Sequence, residues 1–103
     1  MKKTKIKIRL YDSARYLDTP EAIATYLTEA LETEDSSFIA SALGTVARAK
    51  GMSGVARKAG LSRENLYRSL DGQTKPELDT IIRVLGVVGL TLSANPKPKS
   101  KAG

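Results

Sequence analysis

A glycine places the tightest constraint on this chain. Residues 56–70 read ARKAGLSRENLYRSL, with apolar side chains at Ala56, Ala59, Leu61, Leu66 and Leu70. A single amphipathic helix would carry such residues in an unbroken three-to-four spacing. Gly60 interrupts the run, and glycine both weakens a helix interior and readily takes the left-handed conformation that ends helices. Ser62 follows, and its hydroxyl can accept a backbone N–H near Glu64 or Asn65 and so start a new helix. The pattern predicts two short helices joined at Gly60-Leu61-Ser62. Ala56 falls where the two come closest, Leu61 is expected as a buried plug, and Val55, Ala59 and Leu66 complete a small core.

Three further helices are expected. Thr19-Pro20-Glu21 is a helix start: a threonine cap, proline at the first position, then an acid near the positive dipole end. Ile23, Leu27, Ala30 and Leu31 line one face of this helix to about Thr33. Asp35 or Ser36 can cap the next, in which Ile39, Leu43 and Val46 form the buried stripe. Gly51 ends it, with Arg48 and Lys50 in the last turn, where cations are favoured. Ser53 is expected to cap the helix from Gly54 to Ala59, and Gly72 marks the exit of the helix that follows Ser62. Pro76-Glu77 opens the last helix, with Leu78, Ile81, Ile82 and Leu85 on one face and Gly86 and Gly89 bracketing its end.

Two segments alternate instead. Ile6, Ile8 and Leu10 interleave with Lys5, Lys7 and Arg9, and Leu90, Leu92 and Ala94 with Thr91 and Ser93. Period two suggests strands, pairing within one chain or across a dimer. The expected fold is therefore mainly α: five helices with a short flanking two-stranded β element. Residues 1–10 are read as a basic N-terminal strand or arm, 11–94 as the folded domain, and 95–103 as a disordered basic tail.

Composition narrows the chemistry. A chain of 103 residues fits one small domain. It has no cysteine and no histidine, which removes thiolate chemistry, the commonest general base and the commonest transition-metal ligand. No catalytic set, metal site or cofactor is expected, and the chain is read as not an enzyme. Apolar runs fall short of the ~20 residues of a membrane span, so the expected compartment is the cytoplasm. The net charge is +6, unevenly spread. Residues 12–35 hold seven acids and one base, whereas residues 48–75 hold seven bases and two acids. Either these are two solvated surfaces or they serve two partners, one of them polyanionic.

Two helices about such a turn make a helix-turn-helix pattern, whose second helix can enter a DNA major groove with its N-terminal residues leading. Arg63 and Asn65 are the prime candidates for base edges, because Arg suits guanine and Asn suits adenine. Ser62, Glu64 and Tyr67 join them as candidate base contacts. Glu64 can accept from cytosine or serve only in capping, and Tyr67 can touch DNA or pack on Leu70. Ser53, Arg57, Arg68 and Lys75 are candidate phosphate contacts, which position without specifying. The plainer alternative is that Arg63, Glu64 and Arg68 are solvated helix charges, with Glu64 and Arg68 an exposed i,i+4 pair.

Residues 38–88 resemble the Cro- and lambda-repressor-like helix-turn-helix family, with the Gly-Leu-Ser-Arg and Lys-Pro-Glu-Leu features in the right order. That family usually has an apolar residue where this chain has Ser69 and a polar one where it has Leu70, so the core contact is expected one position later, at Leu70. A narrower resemblance spans Tyr11 to Ala94. The stretches YLDTPEAIATYLTEALE, ALGTVARAKGMSGVARKAGLSRENLYRSL and LDTIIRVLGVVGLTLS look like the addiction-module antidote proteins, a HigA-like antitoxin group. The resemblance implies a homodimer that binds a palindromic operator, represses its own operon and neutralises a basic toxin of RelE/ParE-like fold. With charge, it implies that Glu21, Glu29, Glu32 and Glu34 face that toxin. Two alternatives stand beside it: a prophage-type repressor without a toxin, and a toxin-binding module that meets DNA only incidentally.

Overall fold

The computed structural model describes residues 17–98. Among the described residues five helices follow one another: α1 (Pro20–Leu31), α2 (Ser36–Lys50), α3 (Met52–Ala59), α4 (Arg63–Ser69) and α5 (Leu78–Val87). Local chemistry sets most of their ends. The Thr19 hydroxyl accepts the Ala22 N–H at 3.1 Å, and Pro20 occupies the first turn. Beyond α1 the Thr33 hydroxyl donates to the Ala30 carbonyl at 2.6 Å, and Glu34 turns the chain with φ of 58°. Asp35, of the two expected caps, starts α2 by accepting the N–H groups of Ser37 and Phe38 at 3.0 and 3.2 Å.

α2 is the central element. It buries Ala40, Ala42, Leu43, Gly44, Val46 and Ala47, and packs against α1 on one side and α3 on another. α3 in turn packs against α4 and α5. Ile23, Leu43, Val46, Leu66 and Val84 are the largest side chains fully closed off from water, one or two from every helix but α3. α3 contributes Met52, Val55, Ala56 and Ala59 to the buried set.

Small residues let the backbones approach. A methyl group at Gly44 would lie 2.7 Å from the Leu70 carbonyl oxygen, at the end of α4. Backbone cannot swing aside as a flexible side chain can, so overpacking there forces the two elements apart. Gly44→Ala is expected to destabilise the fold by about 1–3 kcal/mol in urea unfolding. An unchanged midpoint and slope would contradict this contact.

Several expectations need correction. Among the described residues there is no β-strand, so the flanking two-stranded element is not present. The N-terminal segment read as its first strand, with the arm over 1–10, lies outside the described residues. The second expected strand fails for a local reason. Gly89 takes φ of 87°, and the Leu90 N–H returns 2.8 Å to the Leu85 carbonyl, closing α5. Leu90 packs on the core, whereas residues 91–98 are exposed and Thr91, Leu92 and Ser93 all line one hollow, so the alternation marks neither a ladder nor a buried face. Of the expected tail, residues 95–98 are described, and they are exposed.

α3 begins at Met52, not Gly54, and Gly51 stands at its cap with no side-chain bond. Ser53 therefore sits inside the first turn and does not cap. α5 begins at Leu78, with Glu77 at its cap. Its inward face is Thr80, Val84 and Leu85, with Ile81 half-buried against the core, so of the expected stripe Leu85 and Ile81 face inward and Leu78 and Ile82 do not. Leu78 and Ile82 are 60% and 50% exposed. The helix is apolar on two overlapping stripes of the same period, so spacing alone could not choose between them. Leu31 is likewise exposed, and Leu61 is half-buried where a full plug was expected.

Candidate nucleic-acid interface

The turn between α3 and α4 is closed by backbone. Gly60 lies in the left-handed region at φ 75°, ψ 30°. The Leu61 N–H bonds the Ala56 carbonyl at 2.8 Å and the Gly60 N–H that of Arg57 at 3.2 Å, the paired bonds of a Schellman closure. α5 braces this turn. Arg83 donates from Nη1 to the Ala59 carbonyl at 3.1 Å, while its Nε meets Asp79 Oδ2 at 3.0 Å. The sequence reading missed Arg83. Its signal was the i,i+4 spacing from Asp79, which by itself reads as an exposed helix pair.

Ser62 caps α4 as expected, its hydroxyl accepting the Asn65 N–H at 3.0 Å. Ser62→Ala is expected to lower stability by about 1 kcal/mol, read as a shift in the urea midpoint; no shift would mean the cap is idle. Leu66 is fully enclosed beneath the helix. Leu70 is 2% exposed and Ser69 half-buried, so the inward contact falls at Leu70, one position later than in the family pattern. Beyond α4, the Thr74 hydroxyl donates to the Arg68 carbonyl at 3.2 Å, and Asp71 accepts the Gln73 N–H at 2.7 Å. Both bonds fix the way out of the helix.

With Leu66 and Leu70 turned inward, α4 shows polar groups to solvent. Arg63, Glu64, Asn65, Tyr67 and Arg68 are all exposed. Arg63, Glu64, Tyr67, Arg68 and Asp71 line one shallow open hollow. The Arg63 guanidinium lies over the Tyr67 ring, 5.6 Å from its centre, within reach of a cation–π attraction. Arg68 donates from Nη2 to Asn65 Oδ1 at 3.3 Å, so it turns to Asn65 rather than to Glu64. Two exposed contacts thus run along the row: Arg63 with Tyr67, and Asn65 with Arg68.

Lys75 shares a neighbouring hollow with Asn65 and Arg68. Ser53 and Arg57 are exposed on α3 and line neither hollow. A cation outside the expected set, Arg48 of α2, lines a third hollow with Tyr67, Leu70 and Asp71. It had been read only as a favourable charge at a helix end. Guanidinium groups, an amide and an ammonium converging on a convex helix are donors suited to phosphate and base edges. Glu64 and Asp71 supply acceptors within the same face.

The acidic residues lie elsewhere. Glu21 is in the first turn of α1, Glu29 near its end and Glu32 at its C-terminal cap; Glu34 follows and pairs with Lys97 at 3.2 Å. Among the described residues no group of carboxylates could hold a metal ion, and no helix is long and apolar enough to cross a membrane.

No solved structure matches the chain. An uncharacterized protein of Haemophilus influenzae is 40% identical over 84 residues, covering 82% of this chain and 87% of that relative. The family model described as probable addiction module antidote protein matches residues 7–96, a span that includes all five described helices. The chain belongs to that family, the probable addiction module antidote proteins.

Proposed function

We propose that this protein is an antitoxin that neutralises a partner toxin in the cytoplasm and, as a homodimer, binds its own operator through α4 and represses the operon. Its role is binding, without catalysis. One observation carries the DNA reading: the exposed row of Arg63, Asn65, Tyr67 and Arg68 on a helix anchored from below by Leu66 and Leu70. α3, the Gly60 turn and α4 then act as a lambda-repressor-like helix-turn-helix, with α4 in the major groove. Ser62, Arg63, Glu64, Asn65 and Tyr67 lie nearest base edges, and Ser53, Arg57, Arg68 and Lys75 nearest phosphates. A two-fold dimer sets two copies of α4 about 34 Å apart, which calls for a palindrome with half-sites one helical turn apart.

The family description supports the antitoxin role. A toxin of RelE/ParE-like fold, generally basic, is the partner that the acids of α1 suit. Fluorescence anisotropy on a duplex from upstream of the chain's own reading frame tests the DNA reading. Affinity is expected to exceed that for a scrambled duplex by about a thousandfold or more, and to fall steeply with added salt as counterions are released. Equal affinity for both duplexes would refute operator recognition.

A further inference from the structure

Away from α4, the chain forms a groove that DNA contact leaves unused. α1 and the segment after α5 enclose about 420 Å³. Its walls are Leu27 and Leu31 from α1, Leu85 from α5, and Leu90 and Leu92 beyond it. Leu31 and Leu92 remain 41% and 43% exposed, so apolar surface is left open to water on both walls. Glu32 and Glu34 form part of the rim. From residue 17 to 35 the chain carries Asp18, Glu21, Glu29, Glu32, Glu34 and Asp35 and no lysine or arginine, in a protein of net charge +6.

The rim already holds an ammonium group. Lys97, itself part of the groove lining, reaches Glu34 at 3.2 Å, with side chains 82% and 66% exposed. An ion pair so exposed contributes little and is readily exchanged. We propose that this groove docks a basic partner protein, through a segment that places aliphatic side chains between Lys or Arg residues. The aliphatic groups cover Leu31 and Leu92, and the cations take the place of Lys97 beside Glu34 and reach Glu32. Two-fold contact of the groove with the same groove of a second copy fits less well, because it would set acidic rim against acidic rim. A nucleic acid would meet the same repulsion. The inference rests on the antitoxin reading, in which the partner is the toxin.

Isothermal titration calorimetry on the full chain, with the purified product of the adjacent reading frame as probe, tests it. Leu31→Asp and Leu92→Asp are each expected to weaken binding about tenfold or more. Glu32→Lys with Glu34→Lys is expected to weaken it similarly and to flatten its salt dependence. Leu78→Asp, on the exposed stripe of α5, leaves the affinity unchanged. Unaltered melting curves and unaltered DNA binding establish that each variant is folded. If the probe binds and every groove variant binds as the wild type does, the groove proposal is overturned while the antitoxin reading stands. If the wild type fails to bind the probe, both fall. A wild-type dimer that Leu31→Asp dissociates, with probe affinity unchanged, assigns the groove to a second copy and also overturns the proposal.

Discussion

Leu66→Ala lowers the unfolding free energy by about 2–5 kcal/mol. Leu66 is fully enclosed, and it is the side chain within the span of α4 that is buried. Removing its isobutyl group forfeits transfer free energy and leaves a cavity between α4 and the rest of the core. A seven-residue helix has little stability of its own, so packing beneath it decides whether it forms. Domains of this size have about 5–15 kcal/mol in total, and the variant forfeits a large part of that. Urea unfolding followed by circular dichroism measures the loss. A change under about 1 kcal/mol would mean that α4 is not anchored through Leu66.

If α4 reads the operator as proposed, Arg63→Ala is expected to cost about 1–3 kcal/mol of operator affinity and to relax one base position. The guanidinium lies over the Tyr67 ring at an exposed site, within reach of a base edge if α4 enters the groove. Removing it takes away a bidentate donor and leaves the fold intact, since the side chain is exposed. Competition against duplexes with single base-pair changes reads the effect. Loss at one position of each half-site, with binding to random sequence nearly unchanged, is the expected pattern. An equal loss on random DNA would make Arg63 a phosphate contact. Lys75→Ala, by contrast, weakens all duplexes alike and reduces the salt slope by about one.

Much of this arrangement is legible in the chain's punctuation. Thr19, Asp35 and Ser62 cap the helices they precede because a short oxygen-bearing side chain can reach a free N–H at that spacing. Gly60 marks the turn because the left-handed region is costly for other residues. The inward shift to Leu70 was also visible, since Ser69 is the wrong residue for a core. The misses share a cause. Which of two apolar stripes on α5 faces inward depends on its neighbours, not on its own spacing, and Leu78 and Ile82 were misassigned for that reason. The alternation of Leu90, Leu92 and Ala94 fits an exposed segment without a ladder as well as it fits a strand. Arg83, Gly44 and Arg48 act across long sequence separations, on Ala59, Leu70 and the Tyr67 hollow, and no local pattern announces them.

Whether α4 is the surface that meets DNA decides the proposed function most directly. Titrating isotope-labelled protein with the upstream duplex and following amide resonances by NMR answers this residue by residue. The largest changes are expected over residues 62–68 and at Lys75, with α1 and residues 90–98 little affected. Changes confined to α1 and the segment after α5, with α4 silent, would contradict it.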